Sequence, residues 1–111
     1  MASKMLKLIS LDAIPEGGSL IVAGPRGTEI ALFKIKGEVY ALDNACPHSE
    51  GPLGKGELNS TIVTCPWHAW EFDVRSGACL NMPGCDATVR PIQIVDGDIY
   101  LREDHDSSQG H

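Results

Sequence analysis

Aromatic residues are scarce in this chain, with two Phe, two Tyr and two Trp among 111 residues. Long apolar runs are missing as well. The longest, Leu20-Ile21-Val22-Ala23 and Ile30-Ala31-Leu32-Phe33, fall far short of the roughly 20 residues that cross a bilayer. The opening Met1-Ala2-Ser3-Lys4-Met5-Leu6-Lys7 has neither an apolar h-region nor a cleavage signature, so a cytoplasmic location is the default expectation. Positive charge is short too: 9 basic residues face 15 acidic ones, a formal net charge of −6. Nucleic-acid phosphates and anionic membrane surfaces would repel such a protein. The balance suits docking on basic patches of other proteins, and neither a nucleic-acid nor a membrane partner is expected.

What is present fits one small domain. A chain of 111 residues is too short for two ordinary domains. Small domains bury a lower share of their surface, so a bound metal group would add stability that the core lacks. Short apolar segments rich in β-branched residues, at 21–23, 29–35, 38–42, 61–64, 70–74, 89–95 and 98–101, predict strands. Lys36-Gly37 and Asp96-Gly97 lie between paired runs as tight hairpin turns, and Arg75-Ser76-Gly77 looks like a third. No stretch keeps a helical apolar period; at most one helical turn is expected near 11–14. The fold class is therefore all-β. Residues 102–111 are polar, without apolar anchors, and are expected to form a disordered tail that includes His105 and His111.

Two Pro- and Gly-rich stretches, 46–56 and 65–69, interrupt the strands, and loops on a rigid β scaffold are common homes for metal sites. Each carries one Cys and one His. Cys46-Pro47-His48 is followed, after 16 residues, by Cys65-Pro66-Trp67-His68. Four cysteines in a chain without an export signal fit metal ligands or thiols better than a disulfide framework. Zinc modules also use two Cys and two His, but they usually pair Cys with Cys and His with His, whereas here each loop is mixed.

This C-x-H, sixteen residues, C-x-x-H pattern resembles the Rieske family, whose members bind a 2Fe–2S cluster with two cysteines on one iron and two histidines on the other. The resemblance implies that Cys46, His48, Cys65 and His68 bind one such cluster. It also implies a fold of antiparallel sheets carrying an inserted cluster-binding part at about 43–86 of a domain spanning 1–101. Two thiolates neutralise the doubly positive ferric core, and neutral imidazoles add no charge. Reduction then leaves a single negative charge, easier to carry in a partly desolvated site than the charge on an all-thiolate cluster. The Pro after each Cys stiffens its loop, and Gly51, Gly54 and Gly56 let the first loop fold tightly.

Asn44, the run from Cys65 through Asp73 followed by Ser76-Gly77, and the close Asp96-Gly97-Asp98-Ile99-Tyr100-Leu101 look like soluble Rieske ferredoxins of bacterial aromatic-ring-hydroxylating dioxygenase systems. High-potential members carry an extra Cys in each ligand loop. The matching positions are Gly51 and Trp67, so that disulfide cannot form. The hydroxyl residues that such members place after the second His are matched by Trp70 and Phe72. Without those hydrogen bonds to sulfur, a potential low in the Rieske range, roughly −150 mV, is expected. Ala69 stands where the family commonly has Gly. Cys79 and Cys85 are read as thiols or small core residues.

The resemblance implies an electron carrier and not an enzyme, because four protein ligands and two bridging sulfides leave the irons no place for substrate. It would take single electrons from a flavin-dependent NAD(P)H ferredoxin reductase and pass them to a terminal Rieske oxygenase, as a monomer. The two histidines would bind through Nδ1, with Pro47, Pro66, Trp67 and Pro83 forming a small docking rim. Alternatives are the small Rieske subunit of an assimilatory nitrite reductase and a zinc-stabilised interaction module.

Overall fold

The run Ile30-Ala31-Leu32-Phe33 breaks the alternation of a half-buried strand, being apolar at every position. The reason lies in its surroundings in the computed structural model, which describes residues 5–47, 51–67, 69–81 and 84–102. Among these, nine strands form three antiparallel three-stranded sheets. The first sheet joins β1 (Met5–Ser10) with β8 (Ile92–Val95) and β9 (Asp98–Arg102), and β9 is central. A second joins β2 (Ser19–Ala23), β3 (Glu29–Ile35) and β4 (Glu38–Asp43), with β3 central. The third joins β5 (Glu57–Asn59), β6 (Ile62–Thr64) and β7 (Glu71–Asp73) and lies between β4 and β8 in the chain.

Successive strand residues point to opposite faces, and β3 has a core on each. Ile30 and Leu32 pack with Ile14, Ala41, Ile99 and Leu101, against the first sheet. Ala31 and Phe33 pack with Leu42, Leu53, Val63, Phe72, Cys46 and Cys65, toward the third sheet. All four residues of the run have 0% exposure. The second sheet is thus a middle layer, and a strand buried on both faces has no polar side to show. Burying each large aliphatic chain contributes about 1.5–3 kcal/mol.

The expected hairpin turns are present. Lys36, Gly37, Asp96 and Gly97 all have positive φ, the backbone twist that two-residue turns need to match their strands. The Glu16 carboxylate secures the first turn by accepting from the amides of Lys36 and Gly37. The helical turn expected near 11–14 is a 3-10 turn at Leu11–Ala13, but two more, at Pro25–Gly27 and Leu53–Lys55, exceed the single turn expected.

Three further features differ from the sequence expectation. Strands β1 and β5 were not foreseen: β1 is built on Leu rather than β-branched residues, and Glu57-Leu58-Asn59 has one apolar residue. The run 89–95 is not one strand. Val89 bridges to Leu42 beside the second sheet, and β8 begins in the first sheet only after Pro91, which has no N–H to continue a ladder. Arg102, expected to open the tail, is the last residue of β9; residues 103–111 lie outside the described residues.

Candidate metal centre

Each candidate ligand loop is closed at its base by its own cysteine. In the first, the Cys46 N–H donates to the Gly51 carbonyl (2.9 Å) and Leu53 N–H to the Asn44 carbonyl (2.7 Å). In the second, Cys65 N–H donates to the Trp70 carbonyl (2.7 Å), and the Cys65 carbonyl accepts from Ala69 (3.0 Å). The second loop is the tip of the β6–β7 hairpin, whose last rung pairs Thr64 with Glu71.

The first loop is also tied to the middle sheet. Asn44 is buried at 4% exposure and is hydrogen-bonded through both its backbone and its side chain. Its Oδ1 accepts from Gly54 N–H (2.7 Å), and its Nδ2 donates to Glu29 Oε1 (3.2 Å). Its backbone N–H reaches the Glu29 carbonyl (3.0 Å). Ser19 Oγ donates to the Gly54 carbonyl at 2.8 Å. At the end of β4, Asp43 pairs with Arg90 at 2.5 Å.

The loops meet at Gly51. A β-carbon there would stand 2.9 Å from Cys65 Sγ and 2.9 Å from Trp67 Cγ, closer than real β-carbons approach other atoms. Glycine is therefore needed for the close approach, not for its backbone freedom. At Gly56 a β-carbon would strike the Thr64 carbonyl, so the end of the first loop is pressed against β6.

Cys46 and Cys65 are 0% and 1% exposed and belong to one core cluster with Phe72, Val63 and Leu53. None of the four cysteines, all of which are described, is joined in a disulfide. Two buried thiols on stiff, facing loops suit a soft-metal centre, for which thiolates are the favoured donors. The residues present therefore fit a 2Fe–2S group. His48 and His68 lie outside the described residues, as does Pro83 of the expected rim. Pro47, Pro66 and Trp67 are exposed, Trp67 at 61%. Phe72 is fully buried and Trp70 packs on the same core, so neither position brings a hydroxyl to the centre. Ala69 sits at φ +60°, a conformation that suits the glycine it replaces. Glu29 and Ser19 were not anticipated; their partners lie 15 and 35 residues away, and no local pattern announces them.

A β scaffold that offers buried thiols on two facing loops defines a protein built around a metal cluster. Residues 6–96 match the Rieske [2Fe-2S] domain, and the chain belongs to that family. The ferredoxin component of the naphthalene 1,2-dioxygenase/salicylate 5-hydroxylase systems of Ralstonia sp is 34% identical over 103 residues, 92% of this chain and 98% of that one. A ferredoxin of Sphingomonas yanoikuyae B1 superposes with a TM-score of 0.82 at 28% identity, covering 90% of this chain and 99% of that one. The nitrite reductase small subunit of Mycobacterium tuberculosis superposes with a TM-score of 0.81 at 23% identity, covering 93% and 97% respectively, which shows a common fold alone. The chain thus carries a 2Fe–2S cluster and is an electron-transfer protein rather than an enzyme.

Proposed function

We propose that this protein is the ferredoxin of an aromatic-ring dioxygenase system, with Cys46 and Cys65 holding one iron and His48 and His68 the other. The observation that carries the reading is the pair of fully buried thiols on loops that meet at Gly51. When bound, the cluster supplies a one-electron acceptor and donor at low reorganisation cost. The chain's own residues do the rest. The Cys46 and Cys65 N–H groups lock their loops, so the sulfurs keep their places through a change of charge. Burial of both thiols among Leu53, Val63 and Phe72 keeps water from them. The exposed Pro47, Pro66 and Trp67 give a weakly polar rim for brief docking. A cytoplasmic monomer, reduced by a flavin-dependent NAD(P)H ferredoxin reductase and oxidised by a terminal Rieske oxygenase, completes the proposal. The relative from Ralstonia sp is named for two systems, so this likeness fixes no single substrate.

Electron paramagnetic resonance of the dithionite-reduced protein tests the ligand assignment. Nitrogen hyperfine coupling from two imidazoles is expected, with a potential near −150 mV that falls in His48→Cys or His68→Cys. Thiolate-only coordination, or a midpoint above about +100 mV, overturns it. Reconstitution with a naphthalene-dioxygenase reductase and oxygenase tests the partners. Substrate-coupled turnover supports the dioxygenase assignment, whereas electron delivery solely to a nitrite reductase catalytic subunit replaces it with the alternative.

A further inference from the structure

Both tryptophans of the chain fall just after Cys65, and the fold uses them differently. Trp70 packs on the core that holds Cys46 and Cys65. Trp67 stands 61% exposed, more than any other large apolar side chain among the described residues. So exposed an indole forgoes much of the gain that burial would give it, and core packing does not explain its place. The root of its ring nevertheless has a definite seat. A β-carbon on Gly51 would stand 2.9 Å from Trp67 Cγ, 3.1 Å from Trp67 Cδ2 and 2.9 Å from Cys65 Sγ. Gly51 is buried, and its carbonyl accepts the Cys46 N–H at 2.9 Å. The indole of the second loop therefore leans on the residue that closes the first, and it walls the slot that the Cys65 sulfur also borders. Pro66 restricts the backbone on either side of itself, which helps to keep the ring on this seat.

We propose that Trp67 is a positioning residue whose indole clasps the two loops together across Gly51 and keeps water from the Cys65 sulfur. The inference rests on the assignment of Cys65 as an iron ligand. An added electron makes the centre more negative, and water that solvates a ligand sulfur or donates to it stabilises that state. An apolar wall beside the sulfur removes this help and holds the potential down. Phe72 and Trp70 withhold protein hydroxyls from the centre; Trp67 withholds the hydroxyls of solvent. The exposure of the ring follows from the same role, because a side chain that seals a slot from outside has one face on the slot and the other in water.

The test compares cluster-loaded wild type, Trp67→Ala and Trp67→Phe by redox titration with no partner protein present. Trp67→Ala should favour reduction about tenfold, an upward shift of about 59 mV for one electron, whereas Trp67→Phe, which keeps a ring on Gly51, should stay within about twofold of wild type. In deuterated water, the deuterium modulation of the electron spin echo from the reduced centre should deepen in Trp67→Ala and not in Trp67→Phe. The clasp is read through Gly51→Ala, whose methyl meets both the indole and the sulfur. Its effect on cluster retention should be smaller in the Trp67→Ala background than in wild type. Should Trp67→Ala fail to hold the cluster, Trp67→Leu takes its place in the same comparisons. An unchanged or lowered potential in the variant without a ring, unchanged deuterium modulation, equal effects of Ala and Phe, or strictly additive losses with Gly51→Ala overturns the proposal. Imidazole nitrogen coupling in wild type is the separate readout of the ligand assignment: its absence defeats that assignment, whereas its presence beside any of the contrary results defeats the role of Trp67 alone.

Discussion

The two ligand loops reach the same end by different means. The first hangs on the body of the protein: Asn44 binds it to Glu29 of β3, and Ser19 of β2 holds Gly54. The second depends on itself, as a hairpin tip closed by the Cys65–Trp70 and Ala69–Cys65 backbone bonds. One sulfur is therefore placed by long-range side-chain contacts and the other by local strand pairing. In the proposed centre, damage to the middle sheet would be felt mainly through Cys46 and damage to the hairpin mainly through Cys65.

The strongest way to break this arrangement is at the meeting point. Gly51→Ala would force a methyl to within 2.9 Å of Cys65 Sγ and Trp67 Cγ. Such overpacking costs about 1–3 kcal/mol, and iron content and visible absorbance should fall sharply; wild-type loading would mean that the loops do not face each other as described. Asn44→Ala attacks the first loop alone. It leaves the Gly54 N–H without its acceptor in a part-buried site, at about 1–2 kcal/mol in chemical denaturation. Cluster loss on dilution should speed up, and an unchanged rate would show that the tether to β3 is dispensable.

Ala69→Gly acts on the second loop in the opposite direction. At φ +60° the methyl is strained, and relief less the extra entropy of unfolded glycine should gain up to about 1 kcal/mol. A lower melting temperature in this variant would contradict the strained placement. The smallest effect is at the hairpin's far end, where Asp73 accepts from the Arg75 guanidinium at 2.9 and 3.1 Å. That hydrogen bond holds the Asp73 carboxyl below its usual range. Because the folded pKa lies under the unfolded one, the pair stabilises above the ordinary carboxylate range of about 4 and loses its effect as pH falls through the lowered value. The stability gap between wild type and Asp73→Asn should therefore be small at pH 6 and close on acidification. A gap that widened in acid would reverse the sign of this assignment.

What the sequence made legible was local. Paired turns, the strand at 29–35 and the spacing of Cys46 and Cys65 can all be read within a few residues, because turn geometry and strand period are short-range properties. The contacts that tune the centre cannot. Nothing near Asn44 points to Glu29, and nothing near Gly51 says that Cys65 Sγ fills the space its side chain would take. Strand β5 was hidden because its partner across the turn, not its own composition, makes it a strand: Asn59 pairs with Ile62. Pro91 sits inside the run 89–95 that was expected to be one strand, and the crossing from one sheet to another that it permits needs the whole fold to be seen. Ala69 was noted as a departure from glycine, and its positive φ supplies the physical meaning of that departure.

The first strand takes the last as its neighbour, Met5 opposite Arg102. A chain emerging from the ribosome must hold β1 in waiting until β9 arrives, and such distant pairing is slow to form. The hairpins β5–β6 and β6–β7 wait for nothing, since each pairs with the strand beside it in sequence. Translation thus separates the making of the hairpins that carry Cys65 from the sealing of the body around them.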